Sequence, residues 1–123
     1  MTPDEFARKV LDAVREICDR ENENAVAALL ADEGVKGIPF DVCNCPVARF
    51  IRLRIDPDGS AGDMLNLTVS GSSVIAMDYR QGFEDDGLNP KLHAYVGFTS
   101  SVESFIIAFD RYGLYPELLE ATS

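Results

Sequence analysis

The sequence predicts an α+β domain: helices first, then a three-stranded antiparallel meander, then a C-terminal helix packed on the sheet. Three observations carry this. Apolar residues recur at spacings of three and four through the first third of the chain, and alternate with polar ones from Leu65 to Val69 and again from Leu92 to Phe98. Helical spacing then returns from Val102 to Phe109, ahead of Gly113. At 123 residues the chain fits one domain over 1–123, with a mainly helical half at 1–55, a β meander at 63–98 and closing helices at 99–121.

Phe6, Val10, Ala13, Val14, Ile17 and Cys18 form the stripe of a first helix, expected at about residues 3 to 20. Pro3 suits its first turn, and Asp4 and Glu5 complement the positive end of the helix dipole. Asn24 is the expected cap of a second helix, with Ala25, Val26, Ala28 and Leu29 inward and Gly34 as its stop. One long bent helix is the alternative. Gly34 to Pro39 is a connector, and Phe40 is expected to pin it to the core. Pro46 opens a third helix with Val47, Phe50 and Ile51 inward. Its end is ambiguous, because Ile51-Arg52-Leu53-Arg54-Ile55 also alternates like a strand; helix to about Leu53 is the preferred reading.

Asp56 to Gly62 is a turn-rich loop. Leu65, Leu67 and Val69 then mark a strand, and Val74 to Tyr79 its return. A three-residue loop of Gly71, Ser72 and Ser73 pairs Val69 with Ile75, Leu67 with Met77 and Leu65 with Tyr79. That register is preferred because it leaves one face wholly apolar, whereas a two-residue loop puts Asp78 on that face. Arg80 to Pro90 reads as a long acidic loop. Leu92 to Phe98 reads as a third strand, with His93 and Tyr95 on its polar side. Ser100 and Glu103 read as a capping box for the last long helix, and Pro116 begins a final helical turn.

The composition bounds function more than it names it. The net charge of −10 disfavours free nucleic acid as a ligand and suits a basic protein surface. No apolar run nears the roughly 20 residues that cross a bilayer, so no membrane partner is expected. The opening Met1-Thr2-Pro3-Asp4-Glu5 lacks the basic and apolar regions of a secretory signal. Three cysteines, an odd count, fit a reducing cytoplasm better than a disulfide framework.

The segment Asp41-Val42-Cys43-Asn44-Cys45-Pro46 is the one with chemical potential. Cys45 falls at a helix N-cap, where orphan N–H groups and the dipole favour a thiolate, and Cys43 sits two residues away. The plainer reading is that Cys45 is a small buried side chain at the helix start. Cys18, Cys43, Cys45 and His93 number enough ligands for a structural zinc, but they are scattered, and core packing accounts for Cys18. Asp56, Asp58 and Asp63 share only their first carboxylates with a calcium loop. Glu84, Asp85 and Asp86, with Arg49 and Arg52, are candidate partner contacts; solvation and local charge balance explain them more simply. No catalytic constellation and no cofactor motif emerges.

Cys45-Pro46-Val47-Ala48-Arg49-Phe50-Ile51, Phe105-Ile106-Ile107-Ala108-Phe109-Asp110 and Tyr115-Pro116-Glu117-Leu118 together resemble short proteins of actinobacteria and their phages. The resemblance covers about residues 34 to 55 and 98 to 119; the N-terminal helical extension departs from it. It implies a cytoplasmic protein of an actinobacterial cell or its phage, and brings no known activity, cofactor or catalytic residue. The leading expectation is a non-enzymatic protein-binding protein. The alternatives are thiol-redox or metal chemistry at Cys43 and Cys45, and a structural part of a larger assembly. The oligomeric state is left open.

Overall fold

Pro3 and Pro46 each open a helix, because a residue without an N–H loses nothing where no intrahelical acceptor exists. The computed structural model describes residues 1–83, 87 and 90–120. Helix α1 spans Pro3–Cys18, and Thr2 caps it by accepting the Glu5 N–H at 3.1 Å. Phe6, Val10, Ala13, Val14 and Ile17 are its buried stripe, as the spacing predicts. Helix α2, Glu23–Asp32, is separate from α1. Its cap is Asn22 rather than Asn24, and its buried residues are Val26, Ala27 and Leu30. Ala28, expected inward, is exposed, and Ala25 and Leu29 are half-buried. Helix α3 runs Pro46–Ile55, so the ambiguous alternating stretch is helical to its end. The alternation there reflects arginines that reach sideways from the helix. Arg54 contacts Glu16 of α1 at 2.8 Å and Glu33, which follows α2, while its guanidinium lies 4.7 Å from the Phe50 ring centre.

Strands β1 (Leu65–Val69), β2 (Ser73–Phe83) and β3 (Pro90–Gly97) pair antiparallel in the order β1-β2-β3. The register differs from the apolar-face expectation: Leu65 faces Asp78, Leu67 faces Ala76 and Val69 faces Val74. The loop is therefore the two-residue Gly71-Ser72. Ser70 closes it, with its N–H donating to the Ser73 carbonyl at 2.9 Å and its Oγ accepting the Ser73 N–H at 3.1 Å. The inward Asp78 that counted against this register is wholly buried, yet it accepts hydrogen bonds from the Arg80 guanidinium and from the Arg80 N–H. Burial acts to raise the Asp78 pKa, but those Arg80 contacts overcome it and hold the carboxyl below its ordinary value. Val74, Ala76 and Asp78 thus face the core, and Ile75, Met77 and Tyr79 face out.

The expected loop from Arg80 is shorter than the sequence suggests. Arg80 to Phe83 continue β2 past an irregularity between Asp78 and Phe83, and Phe83 pairs with Pro90. Helix α4, Ser100–Tyr112, buries Val102, Phe105, Ile106 and Phe109 and ends at Gly113, whose φ of 64° closes the helix in the left-handed region. Thr99, not Ser100, is its N-cap, and no side-chain capping bond forms. The Thr99 hydroxyl instead donates to the Cys18 carbonyl at the end of α1.

α1 lies under β3 and α3 beside β1, covering the inner face of the sheet. α4 packs along α2, touches α1, and reaches the sheet region at its β1–β2 hairpin end. Phe6, Phe50 and Phe105 anchor the core between these layers. Each fully buried ring contributes about 1.5–3 kcal/mol relative to exposure.

Candidate functional site

The chain between α2 and α3 crosses a narrow gap. A Cβ on Gly37 would lie 2.3 Å from the Pro46 nitrogen, so only glycine fits there. Its N–H donates to the Leu118 carbonyl at 2.8 Å and its carbonyl accepts from the Glu120 N–H at 2.9 Å. Arg49 fastens the same strap, donating to Glu120 at 2.9 Å and to the Lys36 carbonyl at 3.0 Å. Arg52 donates to the carbonyls of Gly62 and Leu65, tying α3 to β1. Both arginines, candidate partner contacts on sequence grounds, are engaged inside the fold.

Residues 38–44 then form a closed loop fixed at several points. Asp41 accepts the N–H groups of Cys43 and Asn44 at 3.1 and 3.0 Å, and the Ile38 N–H donates to the Asn44 carbonyl at 3.0 Å. The Val42 carbonyl accepts the Val69 N–H of β1 at 2.8 Å. The Phe40 N–H donates to Asp110 Oδ1 of α4 at 3.1 Å. Held this way, Phe40 has φ of 62°, a left-handed conformation costing an L-residue with a bulky side chain about 1–2 kcal/mol.

That strain does not bury the ring. Phe40 is 68% exposed, which corrects the expectation that it pins the connector to the core. Tyr115 offers the contrast. It has nearly the same φ, 60°, but its ring packs 5.4 Å from Phe105 and its hydroxyl donates to Asn24 Oδ1 at 2.6 Å. The fold uses the strained tyrosine internally; the strained phenylalanine is displayed.

Beside Phe40 lies a pocket of about 230 Å³ between the loop, the β1–β2 hairpin and α4. Val42, Val69, Ile106 and Ile107 supply apolar wall, Asp41, Asp110 and Arg111 supply charge, and Cys45 contributes to the lining. Val42 and Ile107 are themselves exposed, so Phe40 belongs to an apolar rim.

Cys45 caps α3 as the sequence predicts, its Sγ accepting the Ala48 N–H at 3.4 Å. The capping bond does not make a thiolate. Burial pushes the thiol up to about 11, outweighing the help from the Ala48 N–H, and the Asp110 and Asp41 carboxylates add to the rise. Cys43 is half-buried in the loop, Cys18 half-buried at the end of α1, and His93 exposed on the outer side of β3. Among the described residues no group of three or more His, Cys, Asp or Glu gathers as metal ligands. Glu84, Asp85 and Asp86 lie outside the described residues. Among the described residues no helix is long and apolar enough to cross a membrane.

Sequence reasoning found the segment and Cys45 but missed Phe40. A bulky residue in the left-handed region has no composition signal, and the Phe40 N–H finds its acceptor in Asp110, seventy positions later. No family model, curated protein or solved structure matches the chain.

Proposed function

We propose that the chain is a small, acidic, non-enzymatic protein-binding domain, phage-encoded and acting in the host cytoplasm, that grips a host protein at the Phe40 cleft. The observation that carries this reading is Phe40: an aromatic side chain held in a costly conformation and turned to solvent at the rim of a pocket. Strained residues concentrate at binding sites, and an exposed aromatic beside an apolar pocket has the character of an interface anchor. A pocket of about 230 Å³ suits one inserted side chain better than a whole metabolite, whose sites run to about 300–1,000 Å³. Asp41 and Asp110 at the cleft, only partly offset by Arg111, and the net charge of −10 favour a partner that is basic around an apolar residue.

The resemblance to actinobacterial and actinophage proteins supports the setting. Its segments 45–51 and 105–110 come from distant parts of the chain, and both contribute residues to this cleft. Thiol or metal chemistry at Cys43 and Cys45 has less support, since a thiol pushed up to about 11 is a poor nucleophile and a poor ligand near neutrality.

The test is capture from actinobacterial lysate at moderate salt with the wild-type chain and with Phe40→Asp. A partner held by the wild type and lost by the variant is the expected result. A truncated interface anchor costs about 2 kcal/mol or more, roughly thirtyfold in affinity. Capture of nothing, or of the same partner equally by both chains, would count against the proposal.

A further inference from the structure

Phe40, Asp41 and Asp110 bring an aromatic ring and two carboxylates to one pocket. Elsewhere the fold completes the same trio with its own cation. Arg54 sets its guanidinium over the Phe50 ring, 4.7 Å from the centre, and donates to Glu16 at 2.8 Å and to Glu33. The ring face attracts the charge, and the two carboxylates accept from the planar fork of N–H groups.

At the cleft the two carboxylates are open to such a cation. Among the described residues neither Asp41 nor Asp110 joins an ion pair. Asp110 accepts only through Oδ1, from the Phe40 N–H, and Asp41 Oδ2 accepts only from the Asn44 side chain, at 3.2 Å. Both carboxylates therefore keep acceptor capacity. Arg111 also lines the pocket, but it is exposed and pairs with neither of them. The charge of Asp110 and Asp41 reaches inside the pocket, where it adds to the rise of the Cys45 thiol.

We infer that the cleft recognises an arginine side chain of the partner, its guanidinium over the Phe40 ring and donating to Asp110 and Asp41, its stem along Val42 and Ile107. This rests on the reading of the cleft as a partner site and names the basic group bound there. The arginine lies at the mouth, because Phe40, Val42 and Ile107 are the exposed rim. The buried floor of Val69 and Ile106 is left to the apolar residue beside it. Lysine fits less well. Its ammonium is more strongly hydrated, and it neither stacks flat on a ring nor spans two carboxylates with a rigid fork.

The test titrates N-acetyl-arginine amide into the full chain, with N-acetyl-lysine amide as the control of equal charge, at constant ionic strength. Backbone amide shifts report where each probe binds. The arginine probe should shift Phe40, Val42 and Ile107 saturably in the millimolar range, and bind at least about threefold tighter than lysine. Phe40→Leu keeps apolar bulk and removes the ring face. Asp110→Asn keeps an oxygen for the Phe40 N–H and removes the charge. Each should weaken the arginine probe at least about threefold. Equal binding of the two probes, shifts centred elsewhere, or arginine binding unchanged in either variant would overturn the inference. If the variants fail to fold, the wild-type preference for arginine and the location of its shifts decide. Loss of that preference while lysate capture still depends on Phe40 would overturn the arginine and leave the partner site standing. Selective arginine binding without any captured partner would support the arginine and remove the host protein.

Discussion

Replacing Gly37 with alanine adds one methyl group where the fold has no room. The new Cβ would sit 2.3 Å from the Pro46 nitrogen, 2.5 Å from its Cδ and 2.6 Å from the Cys45 carbonyl carbon. These are backbone and ring atoms at the start of α3, so no side-chain rotation relieves the contact. The connector must retreat by about an ångström to restore ordinary separation. Retreat strains both bonds that Gly37 shares with the C-terminal strap, to Leu118 at 2.8 Å and from Glu120 at 2.9 Å. Each is worth about 1 kcal/mol net, and displaced packing adds to the loss. Alanine returns about 0.4–1 kcal/mol by restricting the unfolded chain. The expected net destabilisation is about 2–3 kcal/mol in urea unfolding. Faster amide exchange at Gly37 and Glu120 should accompany it. A Gly37→Ala chain within 0.5 kcal/mol of wild type, about the scatter of surface substitutions, would refute the steric argument.

Asp78 and Cys45 give two further predictions. Arg80 depresses the folded-state pKa of Asp78, so its contribution is present above the unfolded value and is lost as pH falls through the folded one. Wild type should therefore lose stability below about pH 4, and Asp78→Asn should be less stable near neutrality with the gap narrowing in acid; a constant gap would contradict the linkage. With its thiol near 11, Cys45 holds about 0.1% thiolate at pH 8. A disulfide reagent should modify Cys18 and Cys43 in the folded chain and Cys45 only on unfolding, and rapid labelling of Cys45 would contradict the assigned burial.

What the sequence disclosed and what it concealed divide along physical lines. Local backbone chemistry was legible: Pro3 and Pro46 open helices, Gly113 closes one, and Cys45 caps α3. Periodicity located the buried stripes of α1 and α4 for the same reason, since each depends on residues three or four apart. The hairpin register was misread because an all-apolar face looked better than one holding Asp78. The short-range Arg80 contact that makes Asp78 tolerable competes with a pattern rule that counts any inward carboxylate as an error. Asn22 and Thr99 displaced the expected caps by two and one positions, which chain polarity alone does not resolve. Phe40 was the largest loss. Its loop is held by distant partners, Asp110 and Val69, as well as by the Asp41 turn, and a phenylalanine in a Gly- and Pro-rich connector otherwise reads as a core anchor.

The central claim, that Phe40 is kept for contact with a partner and not for the fold, can be tested without the partner. Phe40→Gly removes the exposed ring and relieves the left-handed strain of about 1–2 kcal/mol, while glycine adds about 0.5–1 kcal/mol of chain entropy to overcome. Urea unfolding of this variant should give a stability equal to wild type or higher by up to about 1 kcal/mol. A loss of about 3 kcal/mol or more, the cost of truncating a core phenylalanine, would mean that the ring holds the structure together and would contradict the claim.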